Sequence, residues 1–155
     1  MKYSFSIPVK PVAKQSFRAV AVKKGKIHGF TPSGIGVNKE TLRKHIVSQL
    51  PRPYRMLTSQ VTISKLHFIF QRPEAMKKAL NSNAEGLLLK NSKPDIDNLV
   101  KQILDALKGL VMIDDNIVSR LLDVGKFYGE EDMIFWKWKV NDGTKKNDRP
   151  KFFRE

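Results

Sequence analysis

KPDIDNLVKQILDALKGL, from Lys93 to Leu110, is the stretch on which the fold turns. Ile96, Leu99, Val100, Ile103, Leu104, Leu107 and Leu110 fall at i, i+3, i+4, i+7, i+8, i+11 and i+14. That is the period of a helix with one apolar face. The spacing predicts a helix over about 95–109, with Asp95 suited to cap its start and Gly109 to stop it.

Outward from this helix, the patterns change to period two. Toward the C-terminus, strands are expected at about 117–127 and 133–140, joined by a turn at Gly129-Glu130-Glu131-Asp132. In the second strand Ile134, Trp136, Trp138 and Val140 alternate with Lys137 and Lys139, so the tryptophans read as core rather than as base-stacking platforms. Toward the N-terminus, a polar loop covers 81–93 and a short helix about 74–80. A strand spans 59–71. Its apolar phase switches between Val61-Ile63 and Leu66-Phe68-Phe70, which predicts a bulge or a strand buried on both faces. Leu42, Ile46 and Leu50 mark a helix over 39–50 capped by Asn38 and ended by Pro51 and Pro53. Tyr3, Phe5, Ile7 and Val9 mark an opening strand.

Between strand and helix, residues 10–37 are basic and rich in Gly, Pro and Ser, and read as a long mobile loop with a short ribbon near 18–30. The order β-loop-α-β-α-β-β predicts an α/β (α+β) fold: a single domain with a mixed β-sheet and helices packed on it. The domain is expected over 1–140, followed by a polar basic tail at 141–155.

Composition narrows the function. A chain of 155 residues and 41% apolar content supports one soluble globular domain. No apolar run approaches the roughly 18 residues of a membrane span. The opening MKYSFSIPVKP lacks the apolar stretch of a secretory leader, so the cytoplasm is the expected compartment. Cysteine is absent, which excludes disulfides, thiolate catalysis and cysteine-ligated metal centres. With 29 basic and 15 acidic residues, the net charge of +14 favours a polyanionic partner, nucleic acid before an anionic membrane.

That charge is unevenly spread. Segment 95–132 holds nine acids and four basic residues, so it carries −5 and the rest of the chain +19. Carboxylates repel phosphate. In a nucleic-acid-binding protein they make sense where they hold a divalent cation that faces the phosphate, and otherwise as helix caps and charge compensation. Asp95 and Asp97 flank one residue at a loop-to-helix transition, where i and i+2 can point the same way. Asp97, Lys101 and Asp105 form a polar stripe at i, i+4, i+8. Asp114-Asp115 precede the next strand and complete a site if that strand lies beside the start of the helix. Three carboxylates and waters suit Mg²⁺ or Mn²⁺. Lys101 would supply a fixed positive charge. His28, His45 and His67 are scattered without metal-ligand spacing. Gly34-Ile35-Gly36 is too short for a phosphate loop. Phe17 and Phe30, in the basic loop, are better candidates than the tryptophans for wedging into DNA, but are not taken as part of the site.

Lys93-Pro94-Asp95-Ile96-Asp97-Asn98-Leu99-Val100-Lys101, then Asp105-Ala106-Leu107, then Asp114-Asp115-Asn116-Ile117-Val118, resembles the RusA family of Holliday junction resolvases. The shared pattern is D-x-D-N-x-x-K, an internal D-A-L and an acidic pair before a valine-bearing strand. Lys10-Pro11-Val12-Ala13-Lys14 is similar to the family's N-terminal basic loop, although Lys14-Gln15-Ser16-Phe17-Arg18 departs from its Gly-Arg-Pro-Arg-like run. The resemblance implies that Asp95, Asp97 and Asp115 (or Asp114 in its place) are metal-binding catalytic acids and Lys101 an essential lysine. It also implies Mg²⁺ or Mn²⁺ as the cofactor, with no small-molecule cofactor. The implied enzyme is a homodimer that nicks four-way DNA junctions symmetrically in recombination and repair, without membrane attachment. Lys10, Lys14, Arg18 and Lys93 are the expected DNA contacts. The alternatives are a non-catalytic basic nucleic-acid-binding protein of phage or ribosomal type, or a nuclease acting on flaps. The metal reading requires Asp115 to lie within coordinating reach of Asp95 and Asp97.

Overall fold

The computed structural model describes residues 2–13, 18–22, 26–30, 35–79 and 86–140. Its strands are β1 (Lys2–Ile7), β2 (Arg18–Val22), β3 (Lys26–Phe30), β4 (Val61–Gln71), β5 (Leu88–Leu89), β6 (Val118–Gly129) and β7 (Met133–Val140). Its helices are α1 (Ile35–Gln49), α2 (Glu74–Ala79) and α3 (Ile96–Leu107). Five strands form one mixed sheet in the order β1-β7-β4-β6-β5, and β2 and β3 pair as a separate ribbon. β4 and β6 run parallel, and the other pairings are antiparallel. This is the α+β architecture expected from the pattern.

Alternation on β7 builds the core. Ile134, Trp136 and Trp138 are buried, while Lys137 and Lys139 stay exposed. Phe5 of β1 stacks on both indoles, with ring centroids 5.1 Å from Trp136 and 4.7 Å from Trp138. Aromatic pairs at this spacing add about 0.5–1.5 kcal/mol beyond the area they bury. The phase change in β4 is a register shift between Ile63 and Lys65 against β7. It lets Val61 and Ile63 join Leu66, Phe68 and Phe70 in one buried cluster.

Leu99, Ile103, Ala106 and Leu107 of α3 are buried in that cluster, whereas Ile96, expected on the same face, stands 38% exposed. Leu42 and Ile46 of α1 join it too. Helix α1 begins at Ile35, four residues before the expected start, so Asn38 lies inside it rather than at its start. Nothing in Gly36-Val37-Asn38 forbids a helix, and the apolar period that marks it starts only at Leu42. The two-residue strand β5 lies in what the sequence suggests is loop, since two residues carry no period. On the sheet face away from the helices, His67 Nε2 lies 2.9 Å from Asp123 Oδ1 and Lys65 Nζ 3.1 Å from Asp123 Oδ2. Residues 14–17 and the tail 141–155 lie outside the described residues. Among the described residues, no helix is long and apolar enough to cross a membrane.

Arg43 of α1 ties the two long helices together. Its Nη1 donates to Lys108 O at 3.1 Å and Ala106 O at 3.5 Å, at the carboxyl end of α3. A cation there satisfies carbonyls that have no partner within the helix and complements the helix dipole. Arg43→Met is expected to lower unfolding free energy by about 1–2 kcal/mol, read from the urea midpoint at unchanged m-value. A change below a few tenths would show that the helix end is satisfied by water alone.

Candidate active site

The loop that delivers Asp95 is held by a lysine from the sheet. Val124, Lys126 and Tyr128 of β6 pair with Leu66, Phe68 and Phe70 of β4, so their side chains point to the helix-bearing face. A lysine in that phase needs acceptors. Lys126 Nζ donates to Ser92 O at 2.8 Å and Pro94 O at 2.9 Å. The Lys93–Pro94 peptide bond is cis. This clasp fixes the residues immediately before Asp95 over the far end of β6.

Asp95 occupies the N-cap position of α3 with an extended backbone, φ −71° and ψ 140°, yet its side chain makes no capping hydrogen bond. The capping explanation for this carboxylate therefore lacks the bond it needs. Asp97, in the first turn, is 61% exposed, and Lys101 Nζ lies 3.5 Å from its Oδ2 across one helical turn. An ion pair so exposed contributes about 0–1 kcal/mol and yields readily to a stronger ligand.

The second acidic group is anchored elsewhere. Leu57 N donates to Val111 O at 2.8 Å, Ile113 N to Leu57 O at 2.9 Å, and Tyr54 OH to Val111 O at 2.7 Å. Burial and the neighbouring Tyr3 push the Tyr54 phenol up to about 12, so it stays a donor at every working pH. Asp114 and Asp115 follow this staple and meet Lys108, with Nζ 2.9 Å from Asp114 Oδ2 and 3.6 Å from Asp115 Oδ1. Asp114 also accepts from Asn116 N at 3.3 Å, capping the short turn Asp115–Ile117. Hydrogen bonding with the Asp115 carboxyl, then with Lys108 and with Asn116 N, holds the Asp114 carboxyl well below the usual carboxylate range. Asp114 thus has a structural task, and Asp115 is the freer of the two.

Lys108 stands at the carboxyl end of α3, so the two acidic groups occupy opposite ends of that helix. Twelve residues at 1.5 Å each separate them by about 18 Å. The sheet agrees: Asp115 precedes Val118 at the start of β6, and the eight residues from there to Lys126 span about 26 Å. Two oxygens on one Mg²⁺ lie at most roughly 4 Å apart. Among the described residues, no three acidic or histidine side chains converge on a point that could hold an ion. The strand after Asp115 starts beside the end of the helix rather than its beginning. The expected set Asp95-Asp97-Asp115 therefore does not fit one ion within one chain.

The amino end of α3 adjoins a basic concavity on the helix-bearing side of the sheet. Lys10 and Lys93, two of the expected DNA contacts, line it together with Pro94, Lys90, Arg72, Lys77 and Tyr128. Lys14 lies outside the described residues, and Arg18 falls in β2 of the ribbon. The sequence reading missed Lys90, Lys126 and Tyr128. A lysine and a tyrosine in the buried phase of β6 are the signal that could have found two of them.

Comparison with known proteins places this geometry. A sequence model of the family described as Endodeoxyribonuclease RusA matches residues 8–135. The chain belongs to the RusA endodeoxyribonuclease family. It is also similar to a protein named "Uncharacterized protein YqaN" from Bacillus subtilis (strain 168), with 33% identity over 132 residues, covering 84% of this chain and 90% of that protein. The RusA match runs from the end of β1 into β7, so both acidic groups and the clasp fall inside it.

Two measurements test this architecture. Lys126→Met is expected to cost about 2 kcal/mol and to speed amide hydrogen exchange in α3's first turn, because two charge-assisted bonds to the 92–94 loop vanish. Unchanged exchange there would remove the clasp from the account. The second concerns pH. Because the folded Asp114 carboxyl titrates below its unfolded value, its stabilisation is complete above about pH 4 and is lost as pH falls through the depressed value. Asp114→Asn should lower stability at neutral pH and flatten the acid limb of the urea-midpoint profile. An unaltered acid limb would contradict the hydrogen bonding described.

Proposed function

We propose that the protein is a homodimeric, divalent-metal-dependent endodeoxyribonuclease that nicks four-way DNA junctions, with phosphodiester as substrate and water as nucleophile. The carrying observation is the exposed pair Asp95 and Asp97, free of capping bonds from Asp95, beside a basic concavity in a RusA-family chain.

The separation of the acidic groups gives the dimer its reason. A two-fold axis crossing α3 near mid-length sets the amino end of each helix beside the carboxyl end of its partner. Asp95 and Asp97 of one chain then meet Asp115 of the partner subunit, and two equivalent sites arise from one isologous contact. Ile96 and Ile113, exposed at 38% and 52%, stand at the two ends of α3, where such pairing would bring one against the other. Two sites related by a two-fold axis match the two equivalent strands of a junction. A divalent cation held there would lower the pKa of a bound water and offset charge growing on the phosphate. Lys101, one turn from Asp97, would place a fixed positive charge near the departing oxygen. A chain acting alone would lack a closed donor set and would be a passive binder.

Cleavage of a synthetic four-way junction in Mg²⁺ or Mn²⁺ tests this reading. Asp95→Asn and Asp115→Asn should each reduce cleavage by about 10³-fold or more while binding holds or tightens, since a repelling charge is removed. Mixing the two inactive variants should restore nicking of one strand. Each mixed dimer has one site with an intact Asp95-Asp97 pair facing an intact Asp115. No complementation would place the site within one chain. Wild type that binds the junction and never cuts it would leave the passive-binder reading, and faster cutting of flaps than of junctions would sink the junction specificity.

A further inference from the structure

We propose that the concavity formed by Lys10, Arg72, Lys77, Lys90, Lys93 and Tyr128 is a seat for the phosphodiester backbone of the DNA strand that runs to Asp95. This rests on the nuclease reading above and names the residues that hold its substrate. Lys10 follows β1, Arg72 follows β4, Lys77 belongs to α2, Lys90 and Lys93 precede α3, and Tyr128 lies on β6. Five cations from separate stretches of chain are thus gathered against mutual repulsion. The two acids in the concavity are already engaged: Glu74 with Lys77 at 2.7 Å, and Asp132 as acceptor from Gln71 N at 2.9 Å.

Lys90 is its built centre. Its ammonium lies 5.1 Å from the Phe70 ring centroid and 4.9 Å from that of Tyr128. It donates to the Tyr128 hydroxyl at 3.2 Å and also to Ser92 Oγ. Hydrogen bonds from Ser92 and Lys90 pull the Tyr128 phenol below its ordinary value. The two rings and the hydroxyls fix the ammonium in place before any ligand arrives, so less side-chain entropy is lost on binding. A concave site with cations spread along it suits a rod-like polyanion. A bilayer surface is flat, and one isolated phosphate needs donors that converge on a point. Pro94 lines the same concavity, so a strand seated there is delivered to Asp95.

The test is the affinity of the full-length protein for a fluorescein-labelled four-way junction in EDTA, across a salt series. Lys90→Gln and Lys77→Gln should each weaken binding about 3–10-fold and reduce the slope of log K against log salt by about one. Lys137→Gln, on the opposite sheet face, should change neither. Lys77 is exposed, so its variant keeps the test valid if Lys90→Gln melts early. If wild type cuts junctions but both variants bind as wild type does, the seat is overturned and the nuclease reading stands. If wild type binds without cutting and the variants still lose affinity and slope, the seat stands and the nuclease reading falls. Equal losses in Lys137→Gln would reduce the effect to net charge and overturn the seat. Absence of any DNA binding by wild type would overturn both.

Discussion

A twelve-residue helix cannot bring its own ends together, and α3 carries an acidic group at each end. Leu99, Ile103, Ala106 and Leu107 lock its inner face into the core, and Arg43 holds its last carbonyls. Neither end can swing toward the other without giving up that packing, which for four buried apolar side chains amounts to several kcal/mol. The rigidity that makes the fold stable therefore also keeps the two acidic groups of a single chain apart. In the proposed dimer a second copy would close the donor set, and the two-fold symmetry of a junction would give that arrangement a use.

Lys126 shows how the sheet controls the amino end of α3. A charged residue in the buried phase of a strand is costly unless every donor finds an acceptor. Here the acceptors are carbonyls of the loop preceding Asp95. The requirement that the ammonium be satisfied selects one position for that loop, so the cost of burying a charge becomes positional accuracy for the carboxylate of Asp95, the residue that directly follows the acceptor Pro94. At the other end of the helix the same accuracy comes from backbone pairing between Leu57 and the Val111–Ile113 stretch.

Most of the architecture was legible because it is periodic. The helix expected over about 95–109 and the inward tryptophans follow from spacing in the sequence, and the phase change in β4 left a bulge as one of two readings. The early start of α1 and the two-residue β5 were not legible, because neither carries a period. The site was legible by residue type but not by placement. Asp95, Asp97 and Lys101 share one helix end because they are neighbours in sequence. Asp115 is eighteen residues beyond Asp97, and only the direction in which β6 leaves the helix decides which end it joins. The basic concavity was half visible through Lys10 and Lys93. Lys90, Lys77 and Arg72 join it through tertiary packing that no local pattern records.

The lysines beside the acids complete the electrostatic logic. Lys101 faces Asp97, and Lys108 faces Asp114 and Asp115. These pairs are exposed, so each is weak and screened by salt. Weakness suits groups that change partners. An unpaired cluster of carboxylates would repel the incoming strand as well as its own neighbours, while a strong buried pair would never release them. Lys101, 3.5 Å from Asp97 in high dielectric, offsets the carboxylate's charge only weakly, so Asp97 would remain available to a divalent cation in the proposed site. Lys101 itself would then stand one helical turn from the acids, placed to pair with a phosphate seated beside them.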